Sequence, residues 1–381
     1  MTQKKPIVVI GTGLAGYMFA KEWRKFNTEQ ALVLISREEG HFYSKPLLSN
    51  ALMKGKRPNE LITTPVDVMR KQLQATIHTH MLVSQIDPLR QTITTSNETI
   101  EYETLILATG AKPIMPPLTG DTDALWQVNE LSHYASFREV IDQSKSIVIL
   151  GAGLIGCEFA NDLLTNGQMV KVVSLDERPL IRLLPEKISD ALQVAFTEAG
   201  IEWYLHKTVK AVEKTKSDVT LVTKDGSRIT AECALSAIGI LPDLTLAKAA
   251  SLKTNRGILV DRFLQTSHPQ IYALGDCIEF EGRVEPYIAP LLLCARALAN
   301  NLANPGQAQP VHYPQMPITI KTPLYPVVCL PPPPQVDGEW RYESKNDSLI
   351  ARFFDKNGQV RGFTLGNATG ALRLQLTQEV S

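Results

Sequence analysis

Twice in this chain an unbroken apolar run meets a Gly-x-Gly-x-x-Gly turn and then a stretch with helical spacing. The first copy is Ile7-Val8-Val9-Ile10, then Gly11-Thr12-Gly13-Leu14-Ala15-Gly16, with Tyr17 to Phe26 following. The second is SIVILGAGLIG, Ser146 to Gly156, with a helix expected from Leu154 to about Asn166. Short runs rich in Val and Ile read as buried parallel strands. The glycines have separate jobs. Gly11 and Gly151 allow the tight turn. Gly13 and Gly153 let backbone approach a pyrophosphate. Gly16 and Gly156 let helix and strand pack closely. The helix N-terminus adds free N–H groups and partial positive charge for the phosphates. One such turn is weak evidence. Two in the same strand–turn–helix context point to an α/β chain with two Rossmann-like dinucleotide-binding domains.

The residues between the motifs fit that plan. Ala31 to Ile35 is the second strand of the first fold and ends in Ser36-Arg37-Glu38-Glu39. Glu38 is the best candidate to hold a ribose, with Ser36 and Arg37 in reach of the adenosine end. Val170 to Ser174 is the matching strand of the second fold, and the usual acid is missing at Ser174. Asp176 and Glu177 come soon after and would repel a 2′-phosphate, whereas Arg178 pulls the other way; we expect NADH over NADPH. Residues 77–107 alternate, with turn signals at Asp87-Pro88 and Ser96-Asn97, and are expected to return to the sheet. Asp225-Gly226 marks a hairpin. Glu103 to Pro113 is a buried strand entering a Gly/Pro turn, and Thr266 to Asp276 is a strand ending in Gly275-Asp276. Ala289 to Leu302 is an apolar helix. From about Val311 the chain is proline-rich, then shows strand and turn signals and a final amphipathic stretch.

A length of 381 residues suits two or three domains. The 39 basic and 39 acidic residues cancel, which gives no support for a nucleic-acid footprint. No apolar run approaches a membrane span, and the first strand begins too early for a signal peptide, so a cytoplasmic location is expected. The five cysteines, Cys157, Cys233, Cys277, Cys294 and Cys329, form no CxxC or CxxxxC pattern. No metal site is expected from them.

Taken in order, GTGLAG, TLILATGAKP, VILGAGLIGCEFA and IYALGD resemble the two-dinucleotide-fold flavoprotein reductases of the pyridine-nucleotide-disulfide oxidoreductase superfamily. The resemblance implies FAD in the first fold and NADH in the second, inserted fold. It places an FAD domain at 1–113 and 239–310, an NAD domain at 114–238 and a small α+β C-terminal domain at 311–381. One departure sets the branch. The disulfide reductases carry CxxxxC after the second strand, whereas this chain has Tyr43-Ser44-Lys45-Pro46-Leu47-Leu48-Ser49. Without a thiol relay, electrons leave the flavin directly. That is similar to the branch reducing small iron or iron–sulfur proteins. SKPLLS, the length and the tail are most similar to the reductases of rubredoxin, which serve alkane hydroxylation and related uses.

The resemblance also implies site residues. Lys45, Glu158 and Lys321 would be catalytic, with Lys45 beside the flavin and a cation there favouring its reduced form. FAD contacts would come from Gly11, Gly13, Leu14, Ala15, Gly16, Arg37, Glu38, Lys45, Pro46, Val83, Ala108, Thr109, Gly110, Gly275, Asp276 and Lys321. Those in or near the second fold would be Gly151, Gly153, Ile155, Gly156, Glu158, Asp176, Glu177 and Gly239. Blander roles stand beside these: Glu158 as a solvated helix carboxylate, Asp276 as a helix N-cap and Lys45 as an exposed loop lysine. The expected partner is an acidic rubredoxin steered by a local basic rim that includes Lys45 and Lys321, with a monomeric enzyme favoured. Other acceptors on the same fold are ferredoxin, flavorubredoxin or oxygen. A flavin-binding redox sensor without turnover is the alternative outside enzymes, and the intact second glycine motif argues against it.

Overall fold

The computed structural model describes residues 4–345, 347–368 and 370–380. The chain forms two compact units. One gathers the residues up to Ser44 with Ile62–Lys112 and Ile240–Pro314. The other gathers Lys45–Leu61, Pro113–Gly239 and the chain from Gln315 onward.

The first unit is built on a five-stranded parallel sheet. Its order is Ile271–Ala273, Thr104–Leu107, Ile7–Ile10, Leu32–Ile35, Thr76–His78. The central strand, Ile7–Ile10, is buried at every position, as expected of a strand covered on both faces. The helix Leu14–Arg24 buries Tyr17, Ala20 and Trp23 at three-residue spacing and packs against the helix Ile288–Ala303. Its C-terminus is tied off by Arg24, whose guanidinium donates to the carbonyls of Asn27 (3.0 Å) and Gln30 (2.9 Å).

Only the ends of 77–107 join this sheet. Val83–Asp87, Thr92–Thr95 and Thr99–Glu101 instead form a separate antiparallel sheet. The cause is local. The Asp87 carboxylate accepts from the N–H groups of Leu89 and Arg90, and Thr95 Oγ1 accepts from those of Asn97 and Glu98. Turns closed this tightly join antiparallel neighbours, whereas a parallel pairing needs a long crossover.

The second unit has a similar five-stranded parallel sheet, ordered Leu125–Trp126, Cys233–Ser236, Ser146–Leu150, Met169–Val173, Glu202–Tyr204; four strands match the first sheet, but the edge strand Leu125–Trp126 comes first in the chain where Ile271–Ala273 comes last. The second glycine helix spans Leu154–Thr165. The hairpin at Asp225-Gly226 joins Val219–Thr223 to Arg228–Ala231. A helix at Glu186–Ala199, unforeseen in the sequence, begins after Pro185 and buries Ile188, Leu192 and Phe196. The C-terminal part is an antiparallel sheet ordered Ile318–Ile320, Val327–Leu330, Val360–Gly366, Ser348–Asp355, Gly338–Lys345. The helix Gly370–Glu379 packs on it through the buried Leu376. Among the described residues no helix is long and apolar enough to cross a membrane.

Candidate functional site

In both glycine turns, two glycines serve the protein's own packing and one does not. A Cβ on Gly11 would lie 2.1 Å from the Ala108 carbonyl oxygen, and one on Gly16 would lie 2.0 Å from that of Gly11. The second turn matches: Gly151 faces the Ala237 oxygen at 2.5 Å and Gly156 the Gly151 oxygen at 2.0 Å. Gly13 and Gly153 differ. A Cβ on either would meet nothing within 4 Å. Each is the N-cap of its helix, in ordinary extended backbone, and neither helix has a side-chain cap. The first turn of each helix therefore offers uncapped N–H groups to open space, the arrangement that binds a pyrophosphate. The residues present fit one dinucleotide at each turn.

Around the first turn, Thr12 Oγ1 donates to Ser36 Oγ (2.7 Å), which accepts the Glu38 N–H (3.1 Å). Glu38 is thereby held at the strand end, and its carboxylate accepts from the Tyr43 hydroxyl at 3.1 Å. Arg37 beside it is exposed, whereas Val83 and Ala108 are buried. Thr109 donates to the Asp243 carbonyl (3.1 Å), and the Asp243 N–H donates to Gly110 (2.9 Å). No helix starts at Asp276, so it is not an N-cap; the chain turns there into the strand Ile278–Phe280.

The second unit holds a buried polar group around Glu158. This carboxylate is 2% exposed, which excludes the solvated-helix role. It accepts from Ser49 Oγ (2.5 Å), the Lys321 backbone N–H (3.0 Å) and Lys321 Nζ (3.3 Å). Lys321 Nζ also donates to the Pro46 carbonyl. The structure therefore joins two of the three predicted catalytic residues directly. Lys45, half-buried, opens the same Lys45–Asn50 turn of 3-10 helix that carries Pro46 and Ser49.

Two further residues of the second glycine helix escaped the sequence reading. Asn161 accepts from the Leu324 N–H (3.0 Å). Asp162 accepts from the N–H groups of Leu52 (3.1 Å) and Met53 (2.8 Å). Glu158, Asn161 and Asp162 stand at i, i+3 and i+4, one face of the helix. Three polar residues on one face of the otherwise apolar LIGCEFANDLL were the available signal. Burial pushes Asp162 up to about 6, against the pull of its Met53 and Leu52 hydrogen bonds and of the Arg138 and Lys54 charges.

Burial disfavours the reactive form of every cysteine. All five are free and buried. Burial pushes the Cys233 and Cys329 thiols up to about 12 and those of Cys277 and Cys294 to about 11, and it raises Cys157 as well. The nucleophilic and redox-active form is the thiolate, which these sites disfavour at neutral pH.

Residues 5–293 match the pyridine nucleotide-disulphide oxidoreductase family, and the chain belongs to it. Residues 310–380 match the rubredoxin binding C-terminal domain. The chain is 43% identical to a protein named rubredoxin-NAD(+) reductase from Acinetobacter baylyi, with 98% of each chain covered. It is 40% identical to one of the same name from Alcanivorax borkumensis, again with 98% of each covered. Among solved structures, a ferredoxin reductase from Rhodopseudomonas palustris superposes with a TM-score of 0.89 at 25% identity, covering 99% of this chain and 96% of that one.

This geometry yields two expected outcomes. Gly13→Val should fold yet purify without flavin, because its Cβ meets no protein atom within 4 Å and the side chain takes the space open to the ligand. Circular dichroism and the flavin absorbance of the purified protein check this; flavin retained would refute it. Asp162→Asn tests the buried carboxylate. Its folded pKa lies above the unfolded 3.8, so the native state binds the proton more tightly. The Asp162 contribution to stability therefore falls as pH rises from about 4 to about 6 and is flat above. Wild type should gain on Asp162→Asn by up to about 3 kcal/mol as pH drops through that window, read by urea unfolding at each pH.

Proposed function

We infer that this chain is an NADH-dependent flavoprotein reductase that passes electrons through FAD to rubredoxin. The observation that carries the reading is a rubredoxin-binding C-terminal domain on a paired dinucleotide fold without a redox dithiol. FAD, when bound, supplies the conversion of a two-electron donor into one-electron transfers. The chain supplies position, charge and the acceptor's docking surface. We assign FAD to segments 1–113 and 239–310, NADH to 114–238 and the acceptor to 311–381. The turn at Gly11, Gly13 and Gly16 holds the FAD pyrophosphate, Glu38 its ribose and Asp276 its ribityl chain. Gly151, Gly153 and Gly156 hold the pyrophosphate of NADH.

Lys45 and Lys321 provide the positive charge that favours reduced flavin, and Glu158 fixes Lys321 in place. Ser49 and the Lys321 N–H supply the hydrogen bonds that satisfy the buried Glu158 oxygens. Five free cysteines fit a reducing compartment, so we place the reaction in the cytoplasm.

Stopped-flow mixing of NADH-reduced enzyme with rubredoxin, ferredoxin or oxygen tests the acceptor. Rubredoxin should be reduced fastest; parity among the three would reject the assignment. The salt dependence should be shallow, because Lys321 is compensated by Glu158 and adds little to a steering field. Lys45→Met should lower the flavin midpoint potential and slow flavin reduction by NADH, with the NADH dissociation constant little changed. An unchanged potential and rate would return Lys45 to a structural role.

A further inference from the structure

In a dinucleotide fold the loop after the second strand reads the adenosine ribose. An acid there takes the free 2′-hydroxyl, whereas a nearby arginine takes a 2′-phosphate. In the second unit the strand Met169–Val173 runs into Ser174, a buried hydroxyl that accepts the Asp176 N–H at 3.1 Å. The acid two residues past this serine is Asp176, placed as Glu38 is past Ser36 in the first fold, and Arg178 stands two residues further on. By that rule the loop holds an acid for a free 2′-hydroxyl and, in Arg178, also the means to bind a 2′-phosphate.

The structure closes that route. The Arg178 guanidinium is gripped at both terminal nitrogens, by Glu177 through Nη2 and by Glu186 through Nη1 at 2.7 Å. Glu186 opens the helix Glu186–Ala199, where the helix dipole favours a negative charge. A second cation is committed in the same way. The Lys207 N–H donates to the Ser174 carbonyl at 2.8 Å, which fixes Lys207 beside the strand end. Its ammonium is taken by Asp225.

We propose that Glu177 and Glu186 set the nicotinamide-cofactor preference by masking Arg178, so that a ready-made 2′-phosphate site is held shut by two carboxylates. The proposal rests on the reading of NADH as electron donor. The masking pairs are partly exposed, with the Arg178 side chain at 22% and that of Glu186 at 66%. Such pairs are individually weak. The exclusion therefore comes from two effects acting together: an arginine already engaged, and negative charge facing the doubly charged phosphate.

The test uses the FAD-loaded full chain with an artificial electron acceptor, comparing kcat/KM for NADPH and NADH and inhibition by 2′-AMP and 5′-AMP. In Glu177→Gln/Glu186→Gln the kcat/KM for NADPH should rise about tenfold, and 2′-AMP should become the stronger inhibitor. Glu186→Gln alone, on an exposed helix position, should move both readouts in the same direction by less. Adding Arg178→Ala to the double variant should remove the gain. An unchanged NADPH kcat/KM in Glu186→Gln and in the double variant overturns the proposal. So does a gain that survives Arg178→Ala. Wild-type enzyme that prefers NADPH would overturn the NADH reading itself, a separate and recognisable result.

Discussion

The buried carboxylate of Glu158 is the interaction on which the second unit depends. A carboxyl group this deep is tolerated when its oxygens are satisfied, and here three donors from two distant segments satisfy them. Ser49 comes from the Lys45–Leu61 segment, and Lys321 from the first strand of the C-terminal sheet and the residues after it. Neither segment is near Glu158 in sequence. Asn161 and Asp162 extend the same device one turn along the helix, accepting backbone N–H groups from the same two regions. Removing Glu158 would leave the Ser49 hydroxyl and the Lys321 N–H without their acceptor, while Lys321 Nζ keeps the Pro46 carbonyl and its partial access to water. The helix that carries the second glycine motif is thus also the post to which the Lys45 turn and the C-terminal domain are tied.

The two dinucleotide folds show how a repeated local solution leaves room for different chemistry. Both sheets order four of their five strands alike, and both turns divide their glycines in the same way, two for packing and one facing open space. The folds part at the loop after the second strand. The first fold holds Glu38 at the strand end with a tyrosine on its carboxylate. The second holds Asp176 on Ser174 in the same way and then adds Arg178, held by Glu177 and Glu186. The glycine turn is constrained by backbone geometry and repeats, whereas the loop beyond Ser36 and Ser174 is side-chain chemistry and diverges after its first acid.

How much of this was legible in the sequence depends on the range of the interactions. The strand–turn–helix units were readable because their signals lie within about twenty residues and act through the backbone. The Asp225-Gly226 hairpin and the helix Ile288–Ala303 were readable for the same reason. The antiparallel sheet of Val83 to Glu101 was not, since alternation looks the same in a hairpin and in a strand returning to a parallel sheet. The helix Glu186–Ala199 left a readable trace, Ile188, Leu192 and Phe196 at four-residue spacing after a proline. Lys45, Glu158 and Lys321 were found through resemblance, but the partners of Glu158 and Asp162 were not. Their donors lie more than a hundred residues away, and several are backbone N–H groups that no residue type announces.

The pairing of Lys321 also changes how an acceptor would meet this chain. From the sequence, Lys321 counts as a free cation and part of a basic rim. In the structure its charge sits 3.3 Å from a carboxylate, so at a distance the pair acts as a dipole, whose field falls off faster than that of a single charge. The C-terminal segment as a whole has seven basic and six acidic side chains between residues 311 and 381. Many are already paired: Arg341 with Glu339, Arg352 with Glu343 and Glu379, Lys356 with Asp337. A nearly neutral, internally paired surface gives little long-range steering, and screening at physiological ionic strength cuts it further beyond about 8 Å. Recognition of the acceptor must then depend on contact-range fit, with complementary charge adjusting orientation after encounter. A small transient interface suits that regime, because an electron carrier has to leave as readily as it arrives.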